Sequence, residues 1–247
     1  VAGRPAVASS GHGTRTGSGA PSAPGIADRA MLSAGPHRIL FIGASYTQGL
    51  GASTPEHGYA YLTGARLGWP TEVSGVSGTG YLNPGPHDNG TFAARIARMP
   101  QGPQPSVVVL QGGRNDVGYA RPALRTAVVD TIELARRHFP GAEIILLGPI
   151  PARVPVDQAT RAAEATLRDA STQCEAPFVD PIAEHWITQR NQRGYLGLVP
   201  GHPDNAGYAY IAHRLAADLA SMEAPAPGST ARSTARPTAR STAKSPQ

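Results

Sequence analysis

Arg38-Ile39-Leu40-Phe41-Ile42, followed at once by Gly43-Ala44-Ser45-Tyr46-Thr47-Gln48-Gly49, is the stretch from which the fold is read. Its first half is a short apolar run, the pattern of a strand covered on both faces. Its second half places a serine between glycines just past that strand. An open parallel sheet presents its chemistry there, at the carboxyl ends of its strands. Working outward, Val107-Val108-Val109-Leu110 and Ile144-Ile145-Leu146-Leu147 repeat the buried-strand pattern. Strands are predicted over 38–42, 71–76, 106–110, 143–147 and 178–180. Helices are predicted between them, over about 55–67, 122–138, 157–170 and 204–220. The clearest is the second, where Leu124, Val128, Ile132, Ala135 and Phe139 recur at helical spacing and Pro140-Gly141 ends the run. Alternation of this kind predicts an α/β fold. The expected architecture is a three-layer α/β/α sandwich on a five-stranded parallel sheet in flavodoxin-like order, with the site at its C-terminal edge.

The 247 residues suit one α/β domain with extensions. Residues 1–36 are rich in Gly, Ser, Ala and Pro without apolar periodicity, and are expected to be disordered. The domain is assigned to 37–222. The tail is assigned to 223–247, and from Ser229 it is a degenerate array, Ser-Thr-Ala-Arg twice, then Pro-Thr-Ala-Arg and Ser-Thr-Ala-Lys. It reads as a disordered basic tail whose expected partner, through weak electrostatic contact, is an anionic cell surface; an unselective spacer reads equally well. The formal charge of +5 belongs to these ends: Arg232, Arg236, Arg240 and Lys244 lie in the tail, and Arg4, Arg15 and Arg29 face only Asp28 before Pro36. The middle is near neutral, so nucleic acid is not an expected partner. No run is long enough to cross a membrane as a helix. The absence of an initiator methionine at Val1 predicts a processed chain, secreted or held at the cell surface. The single cysteine, Cys174, excludes an internal disulfide and a multi-cysteine metal site, and no histidine pair has ligand spacing. Neither a metal nor an organic cofactor is expected.

Four residues carry candidate chemistry. Ser45 is a weak nucleophile unless a base takes its proton; a turn or N-cap serine would look the same locally. His202 is the candidate base, placed before Pro203 and before Asp204, the expected cap of the last helix. Asn115, in Gln111-Gly112-Gly113-Arg114-Asn115-Asp116, can aim an amide N–H above the sheet edge, with Asp116 expected to fix the turn. Gly78, after the second strand, lets backbone N–H groups approach a substrate closely.

Together these blocks resemble the SGNH hydrolase superfamily, the GDSL-type esterases and lipases, over about residues 37–220. Gly43-Ala44-Ser45 resembles the nucleophile block, with Ala where Asp is usual. Ser77-Gly78 resembles the oxyanion-glycine block, Gly113-Arg114-Asn115-Asp116 the Gly-x-Asn-Asp block, and His202-Pro203 with Asn205-Ala206-Gly207-Tyr208 the histidine block. The resemblance implies a serine esterase acting through an acyl-enzyme. Ser45 would be its nucleophile and His202 its base, with Ser45 N–H, Gly78 N–H and the Asn115 amide forming the oxyanion hole. The implied substrates are small-molecule, lipid or polysaccharide esters.

One departure stands out. Family members usually carry Asp three residues before the histidine, and here Val199 stands there. The Val199 carbonyl, as in similar Ser–His dyads, or Asp180 could orient His202; otherwise nothing does. Two other readings stay open: an O-acyltransferase using the same acyl-enzyme, and a carbohydrate- or surface-binding module on a decayed hydrolase fold. Tyr46, His57, Tyr59, Trp69, Tyr81 and Trp186 are candidates to line the pocket. The loop 148–156 is expected as a wall, and 191–201 as a lid.

Overall fold

The computed structural model describes Leu32 and residues 37–223. The readings for the tail from 224, and for 1–36 apart from Leu32, fall outside the described residues; Leu32 itself is buried in the core. Five strands, β1 (Ile39–Gly43), β2 (Thr71–Gly75), β3 (Val107–Gln111), β4 (Glu143–Leu147) and β5 (Phe178–Val179), form one sheet in the order β2-β1-β3-β4-β5. Every pairing is parallel, which is the flavodoxin-like order. Gly43 lies level with both Gly75 and Gln111. The loops leaving β1, β2 and β3 therefore rise from one edge at one height.

Among the described residues six α-helices complete the layers: α1 (Ser45–Gln48), α2 (Tyr59–Leu67), α3 (Phe92–Arg98), α4 (Arg121–His138), α5 (Gln158–Gln173) and α6 (Asn205–Glu223). On one face Tyr59 and Ala60 of α2 and Ile211 and Leu215 of α6 pack with Phe41, Val109 and Ile145. On the other, Phe92, Leu124, Val128 and Leu167 from α3, α4 and α5 pack with Leu40, Ile42 and Val108. Successive strand residues point to opposite layers, and both layers are apolar. That is why β1, β3 and β4 read as continuous apolar runs, while the edge strand β2 does not.

The structure adds detail that periodicity does not carry. The stretch 55–67 breaks at Gly58, whose extended backbone (φ −69°, ψ 152°) separates a 3₁₀ turn, Pro55–His57, from α2. Helices α1 and α3 were not predicted, because four and seven residues are too few for a period to show. Thr91 marks the start of α3, its hydroxyl accepting the Ala94 N–H at 3.3 Å.

Candidate active site

Ser45 opens α1, two residues beyond β1. A Cβ at Gly43 would collide with Thr47, whose hydroxyl is held between the Tyr59 hydroxyl at 2.8 Å and Gln111 Oε1 at 3.2 Å. The chain can therefore turn sharply off the sheet and lift the serine to its edge. His202 arrives from the far end of the chain, after Gly201 in the left-handed region (φ 72°). Its Nε2 lies 2.8 Å from Ser45 Oγ, and its Nδ1 lies 2.9 Å from the Pro200 carbonyl oxygen. A carbonyl can only accept, so Nδ1 carries the proton. Nε2 is left as an acceptor facing the serine hydroxyl.

Two expectations about His202 are corrected here. The Val199 carbonyl does not face Nδ1, because it accepts the backbone N–H of His202 itself at 3.0 Å. Asp180 is also elsewhere: its carboxylate takes Arg168 and the N–H groups of Ile182 and Ala183, each at 3.0 Å, closing the turn after β5. Asp204 caps α6, accepting the Gly207 N–H at 2.9 Å. The segment expected as a lid is a tied turn, with Gly197 N–H on the His202 carbonyl at 2.9 Å and Asp204 N–H on the Tyr195 carbonyl at 3.1 Å.

Tyr46 braces that turn. Its hydroxyl donates to the Gly201 carbonyl at 2.7 Å, and its ring lies 5.4 Å from the imidazole. Burial raises the Tyr46 hydroxyl above its ordinary pKa, against the pull of Arg114, so it stays a donor. Of the aromatic candidates, Tyr46 alone lines the cleft. Tyr59, Trp69, Tyr81 and Trp186 are buried in the core, and His57 bonds Ser53 and Thr54 at the surface.

Across the cleft, Gly78 has φ 78°, a conformation that favours glycine, and Pro86 leaves no room for a Cβ. The backbone N–H groups of Ser45 and Gly78 have no acceptor among the described residues. Asn115 donates one amide hydrogen to the Thr79 carbonyl at 2.8 Å, which fixes the side chain and leaves a second hydrogen. Asp116 does more than fix its own turn. Its buried carboxylate accepts the N–H groups of Tyr81 (3.1 Å), Leu82 (2.8 Å) and Asn83 (3.2 Å), locking the loop after β2 to the loop after β3. Gln48 Oε1 accepts both the N–H and the hydroxyl of Ser77.

Beneath the edge, Arg95 binds the Ser74 and Gly43 carbonyls, each at 2.8 Å. Burial pushes its guanidinium down to about 10, so it stays charged at neutral pH. Sequence reasoning missed Tyr46, Gln48 and Arg95 as supports. For Arg95 a signal existed: it shares the buried face of α3 with Phe92 and Ile96, an odd place for a cation.

Ser45, Gly78, Asn115 and His202 line one cleft of about 330 Å³, with Ile150 as the wall expected from loop 148–156. Among the described residues, no three His, Cys, Asp or Glu side chains converge as a metal site. A serine hydroxyl facing an imidazole acceptor, beside free N–H donors, can perform acyl transfer. Residues 41–210 match the model of the GDSL-like lipase/acylhydrolase family. The chain belongs to this family. It is 32% identical over 198 residues to a GDSL lipase of Mycobacterium tuberculosis, covering 75% of this chain and 82% of the relative. The solved family-two carbohydrate esterase with a carbohydrate-binding domain from Corynascus thermopiles (Myceliophthora fergusii) superposes with a TM-score of 0.62 at 23% identity. That likeness covers 82% of this chain and 69% of the other. A family-two carbohydrate esterase from Clostridium thermocellum, solved with cellohexaose, gives 0.59 at 22% identity, over 75% of this chain and 64% of the other. At these identities the solved structures share the fold. The chain is thus a GDSL-type esterase/lipase, a hydrolase.

Proposed function

We propose that this GDSL hydrolase cleaves short-acyl carboxylic esters through a Ser45 acyl-enzyme, using a Ser45–His202 dyad oriented by a backbone carbonyl. The carrying observation is the chain of contacts from Ser45 Oγ through His202 Nε2 and Nδ1 to the Pro200 carbonyl. Ser45 Oγ attacks the ester carbonyl carbon as its proton passes to Nε2. The oxyanion that forms meets the Ser45 and Gly78 N–H groups and the free hydrogen of the Asn115 amide. The carbon–oxygen bond to the alcohol then breaks, and His202 returns the proton to the departing oxygen. Water attacks the acyl-enzyme with His202 again as base; the acid leaves and Ser45 regains its hydrogen.

The shape of the cleft supports a short acyl group. Gly112 forms part of its lining, and immediately behind it stand Phe92 and Tyr81, at 2.7 and 3.0 Å from where a Cβ would lie. These core rings back the cleft at Gly112 and stop an acyl chain from extending in that direction.

Hydrolysis of p-nitrophenyl acetate, butyrate and octanoate by the wild type and by Ser45→Ala tests this. The expected result is Ser45-dependent turnover, fastest on the shorter esters. Turnover that survives in Ser45→Ala would overturn the proposal. The same assay with added glycerol decides the acceptor: free acid marks a hydrolase, and acyl glycerol an O-acyltransferase.

A further inference from the structure

A second cleft, of about 420 Å³, adjoins the first. The two share Arg114, Pro200 and Gly201, so they meet across Arg114 and the turn that carries His202. Pro151, Val156 and Leu196 give the second cleft apolar walls, and Arg114 and Arg153 give it positive charge. Its one acid, Asp157, is committed to capping α5, accepting the Thr160 N–H at 2.8 Å and the Thr160 hydroxyl at 3.0 Å. Those bonds, more than the nearby Arg153, hold its carboxyl below the ordinary range. Arg114 has no acid partner among the described residues. Its guanidinium lies 5.9 Å from the centre of the Tyr46 ring and 3.4 Å from the Tyr46 hydroxyl. A guanidinium held against a ring face still offers several N–H donors, arranged to grip a carboxylate or phosphate with two bonds.

Position assigns the half of the ester that meets this cation. Gly78 and Asn115 occupy the oxyanion side of Ser45. His202 must reach the departing oxygen, so the alcohol leaves past the histidine turn, where the second cleft lies. We propose that Arg114 is a specificity-determining residue that selects esters whose alcohol half carries an anionic group, a carboxylate or a phosphate. This rests on the Ser45 acyl-enzyme reading and names the substrate class of that site.

The test compares kcat/KM for para-acetoxybenzoate and its neutral methyl ester on the wild type, Arg114→Gln and Arg114→Lys. Differences in intrinsic ester reactivity cancel, because every variant meets the same pair. The anionic-to-neutral preference should fall about tenfold in Arg114→Gln, fall less in Arg114→Lys, which keeps the charge but loses the fork, and shrink as salt rises from about 0.05 to about 0.5 M. Para-acetoxyphenyl phosphate in a parallel arm shows whether phosphate or carboxylate fits better. A second readout needs no turnover: para-hydroxybenzoate should bind Ser45→Ala about tenfold more tightly than it binds Ser45→Ala/Arg114→Gln. A preference and a binding constant unmoved by Arg114→Gln would overturn the assignment while leaving Ser45-dependent hydrolysis intact. Loss of Ser45-dependence on both esters would instead sink the acyl-enzyme reading, and this inference with it.

Discussion

The two sides of the cleft are held by different means. On the oxyanion side the loops after β1, β2 and β3 are locked by side chains: the buried Arg95 across Gly43 and Ser74, the buried Asp116 on three N–H groups, and Gln48, at the surface, on Ser77. On the histidine side the turn is closed mainly by its own backbone, His202 N–H on the Val199 carbonyl and Gly197 N–H on the His202 carbonyl, with one tyrosine hydroxyl on Gly201, while the Pro200 carbonyl holds the His202 ring. Donors that stabilise developing charge work by staying still, which suits the locked side. A base must pass a proton between two partners and needs its ring correctly tautomerised, which one carbonyl achieves. In the proposed dyad this contrast accounts for the missing aspartate: the imidazole needs an acceptor at Nδ1, and the Pro200 carbonyl lies 2.9 Å from it.

The contrast can be broken from either side. His202→Ala should lower kcat by about a thousandfold, with the urea midpoint nearly unchanged, since it removes the base from a turn that closes without its ring. A fall in stability comparable to a core substitution would show that the ring holds the turn. Asp116→Ala should do the reverse, costing about 3 kcal/mol of stability because three N–H groups, one buried and two part-buried, lose their acceptor. Equilibrium unfolding would check this, and a loss under about 1 kcal/mol would remove the idea of a locked side. Asn115→Ala should lower kcat about a hundredfold, the worth of one preorganised donor, with KM little changed. Equal kcat in that variant would exclude the amide from the oxyanion hole. Tyr46→Phe sharpens the comparison on the histidine side: about threefold to tenfold in kcat, and about 1 kcal/mol at most in stability, from one lost hydrogen bond.

The smallest effect lies away from the cleft. Burial, helped by Asp180 and opposed by Arg168, pushes the Glu164 carboxyl up to about 7 from its ordinary 4.5. The folded state then holds this proton more tightly than the unfolded chain does. Its contribution is full below about pH 4.5 and is lost as pH rises towards 7. Unfolding measured across that window should show a downward slope that flattens in Glu164→Gln, with kcat against pH left as in the wild type. An unchanged slope would assign it to another group, such as Asp218, which burial also raises.

Much of this molecule was legible in the chain. Apolar runs fill β1, β3 and β4 because both faces of the sheet are covered there, and a doubly covered strand needs no alternation; the edge strand β2, Thr71–Gly75, is only part-buried and carries no such run. Ser45, Gly78, Asn115 and His202 could be picked out because each follows or precedes an element end, where parallel sheets gather their loops. The acceptor for His202 was misplaced by one residue, since which carbonyl faces an imidazole depends on the dihedral angles of one turn. The partners of Asp116 and Arg95, and the meeting of Ser45 with His202, belong to tertiary structure. Their contacts join residues 34, 52 and 157 positions apart. Local pattern registers neighbours in the chain; the order of the strands, and the level at which three of them end, decided which distant residues became neighbours in space.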